Sequence, residues 1–431
     1  MTEKQVRVGI VGFGTVGRAT ADIIAKHRDL IAQRSGVKLT VSCVCRRSGV
    51  PAKDLPVGAL AVTEWPELLR NPNVDVVVET MGGTGDSRRL LRAALEQGKP
   101  VVTANKNLLA EHGDELFALA ASRNLPIGFE ASVAGGIPIL RVIHESTAGD
   151  RLRSVHGILN GTANYILTQM ETRGIEFTEA LSEAQQSGYA EADPSFDIDG
   201  QDARDKLCIL ARMAFEGRLQ VSSIPTYGIR HVRAIDIHSA QKLDSTIRLV
   251  GSAEQTEFGL EVSVRPWLVN RRSMLAKVEG VNNAVFLVGD KIGTQMFYGR
   301  GAGGDATGSA VVSDLIEIAR DFAAGQMNAK NVSGFLNSRD LVLSKQPAPA
   351  SWYLRLTVKD QRGIVARVAE VIAREAINID SLEQEPHLPK DRVSFVITVE
   401  PVSEPVIRRA VEAINAFDFM VEPVLLLRIE D

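Results

Sequence analysis

A short apolar run, Val6 to Val11, opens the pattern of this chain and predicts a buried strand. After it, Ala21, Ile24 and Ala25 recur at the spacing of one helix face. The later runs VKLTVSCVC, VDVVVE and PVVT are rich in valine and predict further buried strands. Strands of this kind favour an open α/β sheet.

Three glycines join the first strand to the first helix in the sequence GFGTVG. Gly12 permits a tight turn, Gly14 lets the backbone approach a pyrophosphate, and Gly17 allows close packing of strand and helix. The amides at the helix N-terminus attract the phosphates. The motif predicts a Rossmann-type nucleotide-binding domain, residues 1–134, although a purely structural turn is the alternative. The candidate cofactor contacts of the turn are Gly12, Phe13, Gly14, Thr15, Val16 and Gly17.

The end of the second strand indicates which dinucleotide binds. An acidic residue there would hydrogen-bond the ribose 2′-hydroxyl of NAD, but this chain has Arg46 and Arg47 after Cys45. Two guanidinium groups favour a 2′-phosphate, so we expect a preference for NADPH, with NADH possible. A solvated basic turn is the alternative interpretation.

Two further strands run into small and polar residues. Ligands of an open α/β sheet bind beyond the carboxyl ends of its strands, so these residues are expected to line the nicotinamide end of the site. Lys106 is a candidate catalytic residue there, although a lysine just after a strand is more often a solvated loop residue. The expected lining residues are Thr80, Met81, Gly82, Thr103, Asn105 and Lys106.

Six carboxylates lie between Glu191 and Asp205, and Lys206 follows them. The stretch DIDG looks like part of a calcium loop, but Lys206 stands where an EF-hand requires a bidentate glutamate, which excludes that site. Apolar residues then recur at helical spacing and predict a helix with one buried stripe that starts near Asp199 or Asp202. The stripe consists of Ala203, Leu207, Leu210 and Ala214.

Asp202 and Lys206 lie four residues apart on this helix, which leaves two interpretations open. The pair is either an exposed ion pair of small energetic value or part of a ligand pocket. In the second case a lysine whose pKa is lowered by burial or by a nearby cation protonates the oxyanion of an aldehyde as hydride arrives. Acidic groups such as Glu191 and Asp202 would then hold the ammonium group of an amino-acid substrate.

Composition and charge exclude several classes of protein. The 431 residues, 45% hydrophobic and 24% charged, suffice for about two to four globular domains. The net charge is −4 and the 49 basic residues are dispersed, so we expect no nucleic-acid partner. Three cysteines, no signal segment and no apolar run of membrane-spanning length lead us to expect a cytoplasmic protein without a membrane partner.

The polar, proline-containing segment SKQPAPAS, residues 344–351, predicts a linker before a separate domain, residues 352–431. In that domain WYLRLTV predicts a strand, and apolar residues from Val365 to Ile372 predict a helix. The strands INIDSLEQ and RVSFVITVE around a PHLPKD turn, a helix from Val406 to Ile414 and a final strand VEPVLLLRI complete the order βαββαβ.

Several segments together resemble homoserine dehydrogenase, the enzyme that interconverts aspartate 4-semialdehyde and homoserine. They are GFGTVG, ETMGG, TANK, EASVAGGIPIL, GILNGTANYIL, GYAEADPSFDIDGQDARDKLCILAR and GRGAGGDATGSAVVSDL, in the order of the family, and the long acidic segment is highly specific. The resemblance implies that Asp193 and Asp197 shape the substrate pocket. The implied catalytic residues are Lys206 as proton donor, Lys106 and Asp202, and the implied substrate-binding residues are Gly188, Glu191 and Asp202.

The resemblance also implies a monovalent cation site. In such enzymes EASVAGGIPIL wraps a cation, usually sodium, with backbone carbonyl groups. The implied metal ligands are Glu130, Val133, Gly135 and Ile137. Without the resemblance, a glycine-rich turn with Pro138 is more often a hinge between domains. GILNGTANYIL would open a helix near the substrate, although Asn160 and Thr162 are alternatively simple helix caps.

The second glycine-rich segment, GRGAGGDATGSAVVSD, would return the chain to the nucleotide domain and complete it with about residues 301–335, as the resemblance implies. Gly303 would then lie beside the cofactor, although a mobile connector is the alternative. This chain has Ala306 where the family commonly has proline, which is expected to loosen the helix start. Residues 135–300 would form an α+β catalytic and dimerisation domain.

The DQRG turn, Asp360 to Gly363, makes the last domain resemble an ACT domain, a regulatory module that binds small amino acids. This resemblance implies feedback inhibition by threonine, bound near Asp360, Gly363 and Asn378, and side-by-side pairing into a homodimer or homotetramer. A domain used only for assembly is the alternative. We expect deletion beyond Ser344 to leave turnover intact and to abolish inhibition.

The sequence therefore predicts an NADPH-dependent homoserine dehydrogenase of threonine, methionine and isoleucine biosynthesis, without a fused aspartate kinase. A dehydrogenase of another amino-acid semialdehyde is one alternative, which a direct assay of homoserine oxidation separates. A non-catalytic nucleotide and amino-acid sensor is the other, and the presence of both lysines argues against it.

Overall fold

The computed structural model describes residues 4–329, 332–337, 339–384 and 390–430, so most of the predicted PHLPKD turn lies outside the described residues. The strands are β1 (Lys4–Val11), β2 (Val37–Cys45), β3 (Leu60–Val62), β4 (Val76–Glu79), β5 (Val101–Thr103), β6 (Ile127–Gly128), β7 (Leu152–Ile158), β8 (Ser245–Thr256), β9 (Gly259–Asn270), β10 (Asn282–Gly289), β11 (Gly293–Arg300), β12 (Ala350–Val358), β13 (Ile379–Gln384), β14 (Val393–Val402) and β15 (Met420–Ile429). The helices are α1 (Thr15–Lys26), α2 (Arg28–Ser35), α3 (Trp65–Arg70), α4 (Gly85–Glu96), α5 (Lys106–Ser122), α6 (Ile139–Arg141), α7 (Gly161–Arg173), α8 (Phe177–Gln186), α9 (Ser195–Ile198), α10 (Gln201–Phe215), α11 (Ala234–Lys242), α12 (Gly304–Ala324), α13 (Ser333–Leu336), α14 (Ile364–Arg374) and α15 (Glu404–Asn415).

The chain forms two compact units and crosses between them several times. The first unit comprises Met1–Leu159, Arg204–Ile224 and Asn283–Leu341, and the second comprises Asn160–Ala203, Pro225–Asn282 and Val342–Asp431. This division differs from the prediction of a nucleotide domain, residues 1–134 completed by about 301–335, a central domain, residues 135–300, and a last domain, residues 352–431. Segments expected in a separate central domain belong to the first unit, because β10 pairs with β7 and the turn before α6 packs on the segment that leads into α12. The predicted boundaries therefore do not coincide with the compact units.

The first unit contains the predicted nucleotide-binding sheet. Its six strands are all parallel and lie in the order β3-β2-β1-β4-β5-β6, which is the doubly wound arrangement. The strands are apolar along their length because helices cover both faces, and Val8, Ile10, Val76, Val78 and Val102 are fully buried. The order reverses between β1 and β4, so the glycine turn after β1 lies at the switch point where ligands bind.

Helix α12 packs on α1 and adds Val311, Leu315 and Ile318 to the core of this sheet. The segment after the second glycine-rich turn thus belongs to the nucleotide-binding unit. The predicted apolar face of α1 is correct for Ala21 and Ile24, but Ala25 is exposed.

The second unit contains the predicted βαββαβ order, and the ACT-like fold is confirmed. Its strands lie in the order β8-β9-β15-β12-β14-β13, so the ACT-like sheet continues through β15 into the β8–β9 hairpin. The predicted linker is shorter than residues 344–351, because Ser344 still bonds to Leu260 and β12 starts at Ala350. Val365, expected on the apolar face of α14, is 43% exposed.

A buried polar cluster fixes the ACT-like sheet to α11. Arg355 of β12 donates from Nη1 to Asp236 Oδ2 at 2.7 Å, and the hydroxyl of Tyr353 donates to Asp236 Oδ1 at 2.8 Å. Asp236 is 0% and Arg355 2% exposed. Burial raises the pKa of Asp236 and lowers that of Arg355, so both charges carry a desolvation cost that their mutual contact offsets. The module is therefore not an appendage that the linker alone attaches.

Candidate active site

The glycine turn between β1 and α1 has the geometry that a dinucleotide requires. Gly12 has a φ of 96°, and a Cβ atom there would lie 2.4 Å from the backbone carbon of Thr80. A Cβ on Gly17 would lie 2.3 Å from the carbonyl oxygen of Gly12. A Cβ on Gly14 would meet no described atom within 4 Å, so the surface beside this glycine is open. The first and third glycines are required by packing, and the second leaves room for a ligand.

The neighbouring residues of the turn have different surroundings. Phe13 is 2% exposed and belongs to the core, so only its backbone can face a ligand, whereas Thr15 is exposed. A Cβ on Gly304 would lie 3.1 Å from Thr15 Cγ2, which places the start of α12 beside the start of α1. Gly303, with a φ of 114°, caps α12 at this position. The structure thus brings Gly303 to the glycine turn.

A buried glutamate at the end of β4 shapes the loops that follow β4 and β5. Glu79 Oε1 accepts hydrogen bonds from the amide of Met81 at 2.8 Å and the hydroxyl of Ser87 at 3.1 Å. Its Oε2 accepts the hydroxyl of Thr103 at 2.6 Å. Both Glu79 and Thr103 are 0% exposed, so Thr103 supports the loop from below and does not offer its side chain to a ligand. Sequence analysis missed Glu79, although a carboxylate that ends the apolar run VVVE was a usable signal.

Two lysine-bearing helices meet in the first unit. Lys106 is the first residue of α5, which Asn105 caps by accepting the amide of Leu108 at 3.1 Å. The next residue, Asn107, donates to Asp205 Oδ2 on α10 at 2.8 Å. Lys206 follows Asp205 and donates from Nζ to the carbonyl oxygen of Leu159 at 2.8 Å. The bond between the residues adjacent to the two lysines therefore holds the starts of both lysine-bearing helices together.

Arg46 and Arg47 differ in their surroundings. Arg46 follows the last residue of β2 and is half-buried, at the position where a ribose contact is expected. Arg47 points to α4, where its guanidinium lies 3.1 Å from Asp86, and its side chain is 86% exposed. Arg46 is thus the candidate for a 2′-phosphate contact, and Arg47 has the solvated position of the alternative interpretation.

The predicted cation turn, residues 130–137, changes chain direction sharply. Ala134 and Gly135 have φ values of 53° and 30°, a left-handed pair that turns the chain sharply. The carboxylate of Glu130 does not face outward, because it accepts the amides of Leu140 and Arg141 at 2.9 and 2.8 Å. Burial, together with the nearby Asp314, raises the pKa of Glu130 to about 7. Carbonyl oxygens have a second lone pair, so those of this turn that already accept an amide keep an acceptor site for a hard cation.

Asn160 organises the acidic segment in the second unit. Its Nδ2 donates to Asp197 Oδ1 at 2.7 Å and to Asp202 Oδ2 at 2.8 Å. Its Oδ1 accepts the amide of Ala163 at 2.7 Å and thereby caps α7. Asn160 is 3% exposed, so one buried amide joins a helix start to two carboxylates. It is a cap, as the alternative interpretation held, but it also fixes Asp202.

Helix α10 differs from the predicted helix in its burial. It starts at Gln201, and residues outside the expected stripe, such as Cys208 and Ile209, are as buried as those within it. Asp202 and Lys206, one helical turn apart, are only 5% and 7% exposed. An exposed ion pair is therefore excluded, because water reaches neither side chain and both charges carry a cost of burial.

The remaining candidates of the acidic segment lie at its surface. Gly188 has a φ of 73° and follows the C-cap of α8, and Glu191 is exposed. Thr162 at the start of α7 donates to the carbonyl oxygen of Tyr189 at 2.7 Å and holds the segment there. Asp193 accepts the amide of Ser195 at 3.1 Å, and hydrogen bonds from the side chain and then the amide of Ser195 lower the pKa of Asp193. The structure gathers Asp197 and Asp202 at Asn160, whereas Gly188 and Glu191 lie on the outer part of the segment.

The three predicted regulatory residues do not meet within one chain. Trp352 and Ile379 both pair with Val399, so β12 and β13 run parallel with their starts level. Asn378 therefore lies level with the start of β12, on the other side of β14, whereas Asp360 and Gly363 follow the other end of β12. The distance along the sheet is about 20 Å, since a strand rises about 3.3 Å per residue. One small amino acid is too short to touch both ends.

The described residues contain neither a metal cluster of side chains nor a membrane-spanning helix. No group of three or more histidine, cysteine, aspartate or glutamate side chains is placed to hold a metal ion in those ranges. Within the same ranges no helix combines the length and the apolar character that crossing a bilayer requires.

The fold and site define a nicotinamide-dependent oxidoreductase: a doubly wound parallel sheet with a dinucleotide turn at its switch point, two lysines on adjoining helices and a C-terminal ACT module. Family models match in the same order. The NAD-binding domain of homoserine dehydrogenase matches residues 12–130, homoserine dehydrogenase matches 138–316, and the ACT domain matches 352–419.

Full-length relatives agree with these matches. A homoserine dehydrogenase of Neisseria gonorrhoeae is 38% identical over 430 residues, 99% of both chains. A crystal structure of a homoserine dehydrogenase from Thiobacillus denitrificans superposes with a TM-score of 0.91 at 35% identity and covers 99% of both chains. A hyperthermophilic archaeal homoserine dehydrogenase in complex with NADPH gives a TM-score of 0.61 at 31% identity, over 73% of this chain and 97% of the other. The chain belongs to the homoserine dehydrogenase family.

Proposed function

We propose that this enzyme reversibly reduces L-aspartate 4-semialdehyde to L-homoserine with NADPH in the cytoplasm, as a step in the biosynthesis of threonine, methionine and isoleucine. Hydride passes from the nicotinamide to the aldehyde carbon, and Lys206 donates a proton to the oxygen. The observation that carries the proposal is the burial of Lys206, 7% exposed, with its ammonium held by the Leu159 carbonyl. Burial of an ammonium group costs stability, so a lysine that is kept buried is a candidate for a functional role.

Substitution of Lys206 tests this role. Lys206→Ala is expected to bind NADPH normally and to lose at least about a hundredfold in kcat for homoserine oxidation, the usual range for general acid-base groups. Lys206→Arg is the matched control, because arginine keeps the charge and cannot release a proton near neutral pH. A rate near that of the unmodified enzyme in either variant would overturn the assignment. An enzyme that oxidises another hydroxy amino acid faster than homoserine would overturn the substrate assignment.

Lys106 and Asp202 take supporting roles in this proposal. Lys106 acts near cofactor and substrate, and the bond between Asn107 and Asp205 supports that position. Asp202, held by Asn160, orients Lys206 and binds the substrate ammonium together with Gly188 and Glu191. The cofactor lies along the glycine turn and Gly303, with Thr80 at the nicotinamide end.

The NADPH preference rests on Arg46. Arg46→Asp is expected to weaken NADPH and favour NADH, because a carboxylate repels a 2′-phosphate and accepts a ribose hydroxyl. Arg47→Asp is the matched control and should have little effect, since Arg47 pairs with Asp86 at the surface. Parallel titrations with both nicotinamides measure the ratio. Equal effects of the two substitutions would contradict the assignment of Arg46.

A monovalent cation, with sodium as the first candidate, is held by the carbonyl oxygens of Glu130, Val133, Gly135 and Ile137 in this proposal. The cation would be attracted by the partial negative charges of these carbonyl oxygens and would make the turn more rigid. Exchange of sodium for choline is expected to lower the melting temperature of the unmodified enzyme. Gly135→Ala, in which the new Cβ would lie 3.0 Å from the Gly301 carbonyl oxygen, should lose that difference. An unchanged melting temperature in choline would exclude the site.

Threonine is the proposed feedback ligand, bound near Asp360, Gly363 and Asn378 between ACT modules of a homodimer or homotetramer. The separation of these residues within one chain supports a shared site. Deletion beyond Ser344 is no longer a clean test, because it would leave the carboxylate of Asp236 without Arg355. Asp360→Ala and Asn378→Ala in the full chain should each raise the threonine concentration needed for inhibition. Inhibition that is unaltered in both variants would contradict the site.

A further inference from the structure

Asp205, the residue before Lys206, is a buried carboxylate without a part in the chemistry proposed above. The residue is only 3% exposed. A buried carboxylate is costly unless hydrogen bonds or cations compensate its charge. The groups that compensate Asp205 therefore indicate what this residue does.

The two carboxylate oxygens of Asp205 accept hydrogen bonds from two different helices. Oδ1 accepts Nε and Nη2 of Arg204, the preceding residue of α10, at 3.0 and 2.9 Å. Oδ2 accepts Nδ2 of Asn107, the second residue of α5, at 2.8 Å. Hydrogen bonds to an ionised acceptor are stronger than those between neutral groups. Asp205 thus has a cationic partner within α10 and connects that helix to α5.

A second polar contact shows the direction in which these two helices run. Seven residues after Asn107 and Asp205 along each helix, the buried Arg212 donates from Nη2 to Asp114 Oδ1. All four residues belong to the first unit. Equal spacing on both helices means that α5 and α10 lie side by side in the same direction, with the two contacts about 10 Å apart along the axis. The helices therefore bring their two lysines to the same end.

The N-terminus of α5 has no acidic residue of its own. Its first turn contains neither aspartate nor glutamate, although the partial positive charge at a helix start favours a carboxylate there. Asp205 supplies this charge from α10, because it accepts a hydrogen bond from the first turn of α5. The contact is therefore favourable at the very end of α5 that carries Lys106.

The contact fixes the backbone positions of both lysines. Lys206 follows Asp205, and its Nζ donates to the carbonyl oxygen of Leu159 at 2.8 Å. Lys106 precedes Asn107 as the first residue of α5. A shift of α5 relative to α10 would therefore move one lysine relative to the other. Displacement of a catalytic group by about 1 Å can lower the rate about a hundredfold.

We propose that Asp205 is a positioning residue, which sets the separation of Lys106 and Lys206 through its hydrogen bond to Asn107. The inference rests on the proposed function, because the two lysines act together only in that reaction. The contact between Asp114 and Arg212, two helical turns farther from the lysines, stabilises the helix pair without a part in the reaction.

Exchange of the two side chains in the full chain tests this role. Asn107→Asp places two carboxylates at hydrogen-bonding distance, and their repulsion should displace α5. The kcat for homoserine oxidation should fall by at least about tenfold, whereas the dissociation constant of NADPH should change by less than about threefold. The double variant Asn107→Asp with Asp205→Asn again pairs one carboxylate with one amide. Its kcat should return to within about threefold of that of the unmodified enzyme.

Asp114→Asn is the matched control at the other contact. It leaves the buried Arg212 without its counter-charge, so the melting temperature should fall, but kcat should stay within about twofold of the unmodified value. Asn107→Ala replaces Asn107→Asp if the latter does not fold. It removes the amide donor without adding a charge and should lower kcat by about three- to tenfold.

The outcomes separate a positioning role from a purely structural one. A double variant that stays as slow as Asn107→Asp would overturn the role of Asp205, and so would an unchanged kcat in Asn107→Asp or Asn107→Ala. A kcat that falls with the melting temperature in Asp114→Asn as well would show that both contacts only stabilise the fold. An unmodified chain that does not oxidise homoserine would refute the proposed function instead, and recovery of the melting temperature in the double variant would still establish the hydrogen bond between the helices.

Discussion

Replacement of Asn160 by alanine removes three hydrogen bonds at once and tests how the acidic segment is built. The side chain caps α7 through the amide of Ala163 and donates to Asp197 and Asp202. Because Asp202 is 5% exposed, water cannot replace the lost donor easily. Asp197 is half-buried and regains part of its solvation.

The magnitude follows from these contacts. Loss of an N-cap costs about 1 kcal/mol. Loss of a donor to a buried carboxylate costs about 1.5–3 kcal/mol, and loss at the half-buried Asp197 costs less. Asn160→Ala should therefore lower the free energy of unfolding by about 3–4 kcal/mol. Asn160→Ser is the matched control, because serine keeps the cap and should recover about 1 kcal/mol of that loss.

Urea unfolding and steady-state kinetics on the same samples provide the assay. In both variants the kcat/KM for homoserine should fall by about ten- to a hundredfold, since Asp202 loses the donor that orients it, while the KM for NADPH stays the same. Stability and kinetics thus separate the cap from the carboxylate contacts. The reasoning is refuted if Asn160→Ser restores both stability and turnover, because the cap alone would then explain the residue.

Three further outcomes follow from the geometry. Gly14→Ala should fold normally and bind NADPH more weakly, whereas Gly12→Ala should fail to fold stably because its Cβ would lie 2.4 Å from the backbone of Thr80. Circular dichroism and cofactor titration distinguish the two variants. Identical behaviour of both would contradict the separate roles of the two glycines. Asp236→Asn should lower the free energy of unfolding by about 3–5 kcal/mol, because Arg355 is left buried without its counter-charge. The double variant Asp236→Leu with Arg355→Met should recover most of that loss in urea titrations. A double variant as unstable as Asp236→Asn would contradict this account. Burial lowers the pKa of His156 to about 4, below its unfolded value of about 6.5. The neutral imidazole therefore contributes up to about 3 kcal/mol to the free energy of unfolding above pH 6.5, and this contribution is lost as the pH falls towards 4. His156→Gln should flatten this part of the profile of stability against pH, and an unchanged slope would exclude His156 as its source.

The amino-acid sequence alone predicted the order of the secondary-structure elements and the nucleotide-binding turn. β2 spans the predicted run from Val37 to Cys45, and the βαββαβ order of the last domain is confirmed. Both depend on local rules. Apolar spacing selects strand or helix, and glycine adopts a positive φ most readily and needs no space for a Cβ. The resemblance to homoserine dehydrogenase also came from contiguous segments, and the family is confirmed.

Burial and pairing between distant segments were decided by the tertiary structure. A helical period placed Asp202 and Lys206 on one face, but it left open whether that face met solvent, and only packing on every side of α10 excluded an exposed pair. In the same way, no local pattern indicated that Asn160 would bridge two carboxylates or that Arg355 would meet Asp236 across 119 positions. The free energy of a buried charge depends on which groups surround it, and those groups come from segments that only folding brings together.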